Sequence, residues 1–164
     1  MGAHVTTPDA WRVAALVLAV AAVIAYAVLS GVWVGTDTGW YRALEQPAWQ
    51  PPSWVFGLIW PYNFIALAVV SGVVAWQAPP LRVVVLLVFL LASVAAALAW
   101  AYMFYVPHDF VSSAVALSAA AVLTVPIVII AFLTGWVWGV VLLPYQVWVA
   151  LAASLSWGYL RLNA

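Results

Sequence analysis

Five long apolar runs constrain this chain more than any other feature. They extend from about Trp11 to Val34, Trp54 to Trp76, Leu81 to Tyr105, Phe110 to Leu133 and Val137 to Leu162. A transmembrane helix needs about 20 predominantly apolar residues, whereas a membrane β-strand needs about 10 that alternate in polarity. These runs are too long and too continuous for strands. In lipid, only a helix satisfies its own backbone hydrogen bonds within one such segment. The fold class that follows is an all-α membrane protein: a bundle of five transmembrane helices, with residues 1–164 forming one domain.

Composition closes the alternatives. Hydrophobic residues make up 70% of the chain and charged ones 5%, against roughly 25% charged in a soluble domain. There is no lysine and no cysteine, and the net charge is zero. Disulfides and thiolate metal sites are therefore excluded, and nothing points to nucleic acid. Lipid is the expected environment, in the cell membrane of a prokaryote. The breaks, "QAPP" at 77–80, "VPHD" at 106–109 and "TGWVWG" at 134–139, carry the expected proline and glycine punctuation. Pro61, Pro126 and Pro144 fall inside spans, where membrane helices tolerate them. Arg12 followed by an apolar run and "AYA" at 25–27 imitates a signal peptide. The run continues to Val34, so an uncleaved first helix is the reading adopted. Arg12 and Arg82 fall on one side of the membrane and Arg42 and Arg161 on the other, a tie that leaves orientation open. The acidic residues, Asp9 against Asp37, Glu45 and Asp109, add little to that rule.

The connection after the first span is unusual. "WYRALEQPAWQPPSWVFGLIW", residues 40–60, holds four of the twelve tryptophans and three of the ten prolines. Pro47, Pro51 and Pro52 fix φ, remove backbone donors and push the preceding residues toward extended conformations. The spacing predicts a connector that is stiff without being helical. Trp40, Tyr41, Trp49 and Trp54 suit an interfacial aromatic belt, but their density exceeds what anchoring needs. The expectation is a rigid aromatic flap over the mouth of the bundle.

Helical periodicity places Trp60, Asn63, Phe64 and Leu67 on one face of the second span, and Tyr145, Trp148, Ala152, Leu155 and Tyr159 on one stripe of the fifth. The third span offers Trp100 and Phe104, with Ala96 and Ala97 a turn earlier. Helix packing accounts for many such stripes. In lipid, however, packing favours small residues over large rings, and a polar Asn63 within a span calls for a partner or a cavity. Aromatic walls with a few polar atoms suit a large, flat, mostly apolar ligand.

Titratable groups are absent from mid-span. His4 lies in the N-terminal tail and His108 beside Asp109 in the third connection, too far apart for a bis-histidine haem site. His108 and Asp109 read as a capped turn rather than a metal site. No metal ligand set and no covalently bound cofactor are expected, and no membrane-embedded acid or histidine suggests ion coupling.

The pattern WY-x2-L-x2-P-x-W-x-PP-x-WVFG-x2-W at 40–60 resembles the signature of the TspO/translocator-protein family, also called tryptophan-rich sensory proteins or peripheral-type benzodiazepine receptors. "PYQVWVALAASL" at 144–155 and "RLN" at 161–163 resemble its fifth helix, and length and span number agree. The resemblance implies a five-helix bundle, often dimeric. It implies a pocket under the first connection for porphyrins, haem precursors and sterol-like or drug-like ligands, in sensing, regulation or trafficking. By position, Trp60 and Trp148 match the family's facing pocket tryptophans, Trp100 its third-helix tryptophan, and Ala152 and Leu155 its fifth-helix lining. In some bacterial members the paired tryptophans are linked to light-dependent porphyrin breakdown, which leaves Trp60 and Trp148 as candidate catalytic residues and transport of hydrophobic molecules as a further alternative. The remaining expected ligand contacts are Trp49, Trp54, Phe56 and Gly57 around the connection, then Asn63, Phe64, Phe104 and Tyr145 within the spans. Departures occur at Ala97 and Ser156, where the family carries asparagine, and at Phe64 and Leu160. They leave tetrapyrrole specificity open. "LSWGYLR" at 155–161 also fits a loose sterol-binding pattern. Small-residue spacings at Gly31–Gly35 and Ala92–Ala96 offer seats for a homodimer.

Overall fold

The structure is a computed structural model describing residues 10–164; His4 and Asp9 lie outside the described residues. Six helices and no strand are present among them: α1 Ala10–Val34, α2 Thr38–Ala43, α3 Ser53–Gln77, α4 Pro80–Tyr105, α5 Phe110–Thr134 and α6 Trp136–Asn163. All but α2 are long and apolar enough to cross a membrane. Their ends lie within one residue of the limits set by the apolar runs.

Neighbour contacts place the spans in the cyclic order α1, α3, α6, α5, α4. Packing is densest along α4–α5 and α5–α6, and sparsest where α3 meets α4 and α5. Small buried side chains bring the dense pairs together: Ser93, Ala97 and Ala101 on α4, and Ser113, Ala114 and Ala120 on α5. Polar side chains then join α5 to α6. Thr124 donates to Gln146 Oε1 at 2.6 Å, Gln146 Nε2 donates to the Ala121 carbonyl at 2.9 Å, and Trp157 Nε1 donates to Ser118 Oγ at 3.0 Å. Gly139 lets α6 approach the Phe132 ring, which a Cβ there would meet at 2.2 Å.

Connections on the Arg12/Arg82 side are minimal. Ala78 and Pro79 join α3 to α4, and Gly135 alone joins α5 to α6, so the "TGWVWG" break shrinks to one residue. Helix C-termini leave carbonyls without partners, and two arginines cover them from other helices. Arg12 Nη1 donates to the carbonyls of Trp76 (2.6 Å), Ala78 (3.2 Å) and Ala75 (3.3 Å) at the end of α3. Arg82 Nη1 donates to the Leu133 carbonyl at 2.8 Å at the end of α5. The positive charge also suits the negative end of the helix dipole. Pro144 cannot donate to the Val140 carbonyl; beside that gap, the Tyr62 hydroxyl donates to the Val141 carbonyl at 2.7 Å.

On the opposite side, Asp109 caps α5 by accepting the Ser112 N–H at 2.9 Å. Hydrogen bonds from Ser112, from its side chain first and then its backbone, hold the Asp109 carboxyl below the usual carboxylate range. His108 adopts φ 57° in this turn, a left-handed conformation uncommon outside glycine.

The connector between α1 and α3 departs from expectation in its first half. Residues 38–43 form the short helix α2, with Asp37 accepting the Trp40 N–H at 2.9 Å as its N-cap. The prolines act only downstream, at Pro47, Pro51 and Pro52, so they stiffen residues 44–52 and leave the residues before them free to coil.

Candidate functional site

Beneath this connector, α1, α3, α4 and α6 enclose a cavity of about 810 Å3, to which α5 contributes nothing. Its aromatic wall consists of Phe56, Trp60 and Phe64 from α3, Trp100, Phe104 and Tyr105 from α4, and Tyr159 from α6. Ala152, Leu155 and Ser156 form the α6 side. On α1 the wall is thin, made by Ala27, Ser30, Gly31 and Val34, and nothing lies within 4 Å of a Cβ built on Gly31. The roof is polar: Tyr41, Arg42, Gln46 and Gln50 face the cavity, with Pro51, Pro52 and Ser53 at the start of α3.

The rings are held by one another. Trp60 stacks on Phe64 (centroids 5.6 Å, 24° between planes), and both meet the edge of buried Tyr26, at 6.2 and 5.1 Å. Phe104 meets Tyr105, Phe110 and Tyr159 edge-on at 5.0–5.6 Å. Trp100 donates through Nε1 to Ser156 Oγ at 3.0 Å. Ser156, where the resemblance implies an asparagine, supplies the acceptor. Edge-to-face pairs are worth about 0.5–1.5 kcal/mol each beyond the area they bury, so the wall is an ordered surface.

The roof is fastened mainly to α6. Glu45 N–H donates to Asn163 Oδ1 at 2.8 Å, and Asn163 Nδ2 donates back to the Glu45 carbonyl at 3.0 Å. Trp49 Nε1 donates to Ser154 Oγ at 3.3 Å. The Tyr159 hydroxyl donates to Gln50 Oε1 and pairs with the Tyr41 hydroxyl at 3.0 Å. Pro47 and Trp49 rest on Gly158, where a Cβ would lie 2.6 Å from Pro47 Cγ and 2.9 Å from Trp49 Cζ2. Trp40 reaches the other way, stacking on His108 at 3.7 Å and 12°, and so binds the roof to the α4–α5 turn.

Of the residues expected to contact ligand, Phe56, Trp60, Phe64, Trp100, Phe104, Ala152 and Leu155 line the cavity. The others lie elsewhere. Trp49 sits above Gly158 as part of the roof's fastening. Trp54, 67% exposed, faces outward, and Gly57 has nothing within 4 Å of a built Cβ. Trp148 is buried and is not among the lining residues; it meets Phe56 edge-on at 5.1 Å and Trp60 at 6.2 Å. Tyr145 and Asn63 are buried in the bundle. Leu155 and Tyr159 of the sterol-like pattern face the cavity while Arg161 is exposed, so that pattern does not present one outer surface. Sequence reasoning passed over the polar roof residues Arg42, Gln46 and Gln50; their spacing between aromatic and proline positions was the available signal.

A model of the TspO/MBR family matches residues 13–162. The chain belongs to the TspO/MBR family. Similar proteins include Protein CrtK of Rhodobacter capsulatus, 26% identical over 76% of this chain and 78% of that protein. The Tryptophan-rich protein TspO of Bacillus cereus is 26% identical over 82% of this chain and 88% of its own length. The Tryptophan-rich sensory protein of Cereibacter sphaeroides is 30% identical over 76% and 77%. With five spanning helices and bacterial relatives, this TspO/MBR member is an integral bacterial membrane protein.

Asn63 of α3 has no hydrogen-bond partner for either amide atom among the described residues. An unsatisfied buried polar group costs about 1–3 kcal/mol. Asn63→Leu is therefore expected to raise Tm by several degrees while leaving ligand affinity unchanged, since residue 63 does not line the cavity. Thermal unfolding in detergent checks this; a lower Tm would show that the amide holds a partner.

Proposed function

We propose that this protein binds a flat, largely apolar ligand of the tetrapyrrole type in the cavity, as a sensing, regulatory or trafficking component of the membrane. One observation carries the reading: the cavity of about 810 Å3 has seven aromatic side chains on its wall and an eighth, Tyr41, in its roof. That volume lies within the roughly 300–1,000 Å3 typical of small-molecule sites. Planar rings offer faces and edges to a planar ligand, which fits stacking better than it fits a flexible chain. Among the described residues lining the cavity there is no histidine or methionine, so neither is offered to a metal held in a tetrapyrrole. Trp148, the second candidate for oxidative chemistry, touches Trp60 but is not among the residues lining the cavity, which favours binding over breakdown of the ligand.

Titrating purified protein with protoporphyrin tests this reading. Trp60 and Trp100 border the cavity, so saturable quenching of tryptophan fluorescence is expected, together with a rise in Tm that grows with ligand concentration. Quenching that never saturates, with Tm unmoved, would defeat it.

A further inference from the structure

The cavity is chemically lopsided, and the imbalance says which end of a ligand faces the roof. Its depth is aromatic and aliphatic, whereas Arg42 is the only formally charged residue among the described residues lining it. The other three arginines have different settings. Arg12 and Arg82 cover helix C-termini, and Arg161 is exposed in the last turn of α6. The nearest acids in sequence do not neutralise Arg42 in the cavity. Asp37 Oδ1 caps α2 through the Trp40 N–H, and neither Asp37 nor Glu45 lines the cavity. Around Arg42 stand further donors. Gln46 and Gln50 line the same roof, and because Gln50 Oε1 accepts from Tyr159, the Gln50 amide nitrogen is left to donate.

We infer that Arg42 is an anion anchor, and that the cavity takes a carboxylated amphiphile whose apolar body lies against Trp60 and Trp100 while its carboxylate meets the guanidinium at the roof. This deepens the tetrapyrrole reading, on which it rests for the shape of the apolar body. A guanidinium presents five N–H donors in a fixed fork that matches a carboxylate bidentately. Arg42 and Gln46 are exposed at the mouth of the cavity, so the pairing is that of a solvent-reached ion pair and weakens with added salt.

The test uses two matched pairs of probes, protoporphyrin with its dimethyl ester and lithocholic acid with its methyl ester, on protein in neutral-lipid nanodiscs. Wild-type protein is expected to prefer each acid over its ester by about two- to fivefold, the scale of an exposed ion pair. Arg42→Gln should abolish that preference while leaving ester affinity unchanged, and Arg42→Lys should restore part of it. Equal affinity of wild-type protein for acid and ester would overturn the inference. So would an equal loss for acid and ester in Arg42→Gln, which would mark a structural or lipid-headgroup role, and so would failure of all four probes to bind. Discrimination within the sterol pair alone would sink the tetrapyrrole reading and leave the anchor standing.

Discussion

Gly158→Val is expected to lower ligand affinity by about 10- to 100-fold while the five spans remain helical. The reason is the contact between α6 and the roof. A Cβ at residue 158 would stand 2.6 and 3.0 Å from Pro47 Cγ and Cβ, and 2.9 Å from Trp49 Cζ2. Proline has no side-chain rotamer through which to withdraw, and Pro47 is buried. The connector must therefore rise. Overpacking of this kind costs about 1–3 kcal/mol, and each 1.4 kcal/mol corresponds to about tenfold in affinity. Lifting Pro47 also loosens the neighbouring Glu45–Asn163 and Trp49–Ser154 hydrogen bonds. Limited trypsinolysis after Arg42 reads the same event, and faster cleavage should accompany weaker binding. Gly57→Ala is the control, because nothing lies within 4 Å of a Cβ there. Wild-type affinity and cleavage rate in Gly158→Val would show that the roof does not close the site.

The second large effect separates the two tryptophans. Trp60 lines the cavity and contacts Tyr26, Phe64 and Trp148. Replacing it by alanine removes the ligand's stacking partner and a keystone among the rings, costing about 3–5 kcal/mol of stability by analogy with other large aromatic truncations. Protoporphyrin affinity should fall by about tenfold or more, and Trp60→Phe should fall between. Trp148→Phe should behave differently. Its indole Nε1 is buried with no partner among the described residues, so phenylalanine keeps most of the packing while removing an unsatisfied donor. Stability should hold or rise, and affinity should change by less than about threefold, well under the 1.4 kcal/mol of a tenfold step. The reverse order of effects in a side-by-side titration would mean that Trp148, and not Trp60, meets the ligand.

These two residues also show how far sequence periodicity carries. Spacing put Trp60 and Phe64 on one face of α3, and Trp148, Ala152 and Leu155 on one stripe of α6, and each group is buried or partly buried. Periodicity assigns a stripe to the interior without saying which interior. Asn63 precedes Phe64 by one residue, a rotation of about 100° around the helix axis, enough to take it off the cavity wall. Trp148 and Ala152 sit one turn apart on α6, yet the first packs against Phe56 and Trp60 while the second lines the cavity. The spans themselves were legible because bilayer thickness fixes their length. Helix α2 was not, since the prolines drew attention to residues 47–52 while the Asp37 cap acted ten residues earlier. The arginine covers on α3 and α5 depend on tertiary neighbours and have no local signature.

The thin α1 wall, where Ala27, Ser30 and Gly31 border the cavity, has a consequence for measurement. Exposed Gly31 and Val34 lie there on a membrane-spanning helix, so the barrier toward the acyl chains is slight. A greasy ligand dissolved in the bilayer is then expected to reach the site sideways, past α1. Occupancy accordingly follows moles of ligand per mole of phospholipid: doubling the amount of bilayer at constant total ligand dilutes the site, even though the bulk concentration in the tube is the same.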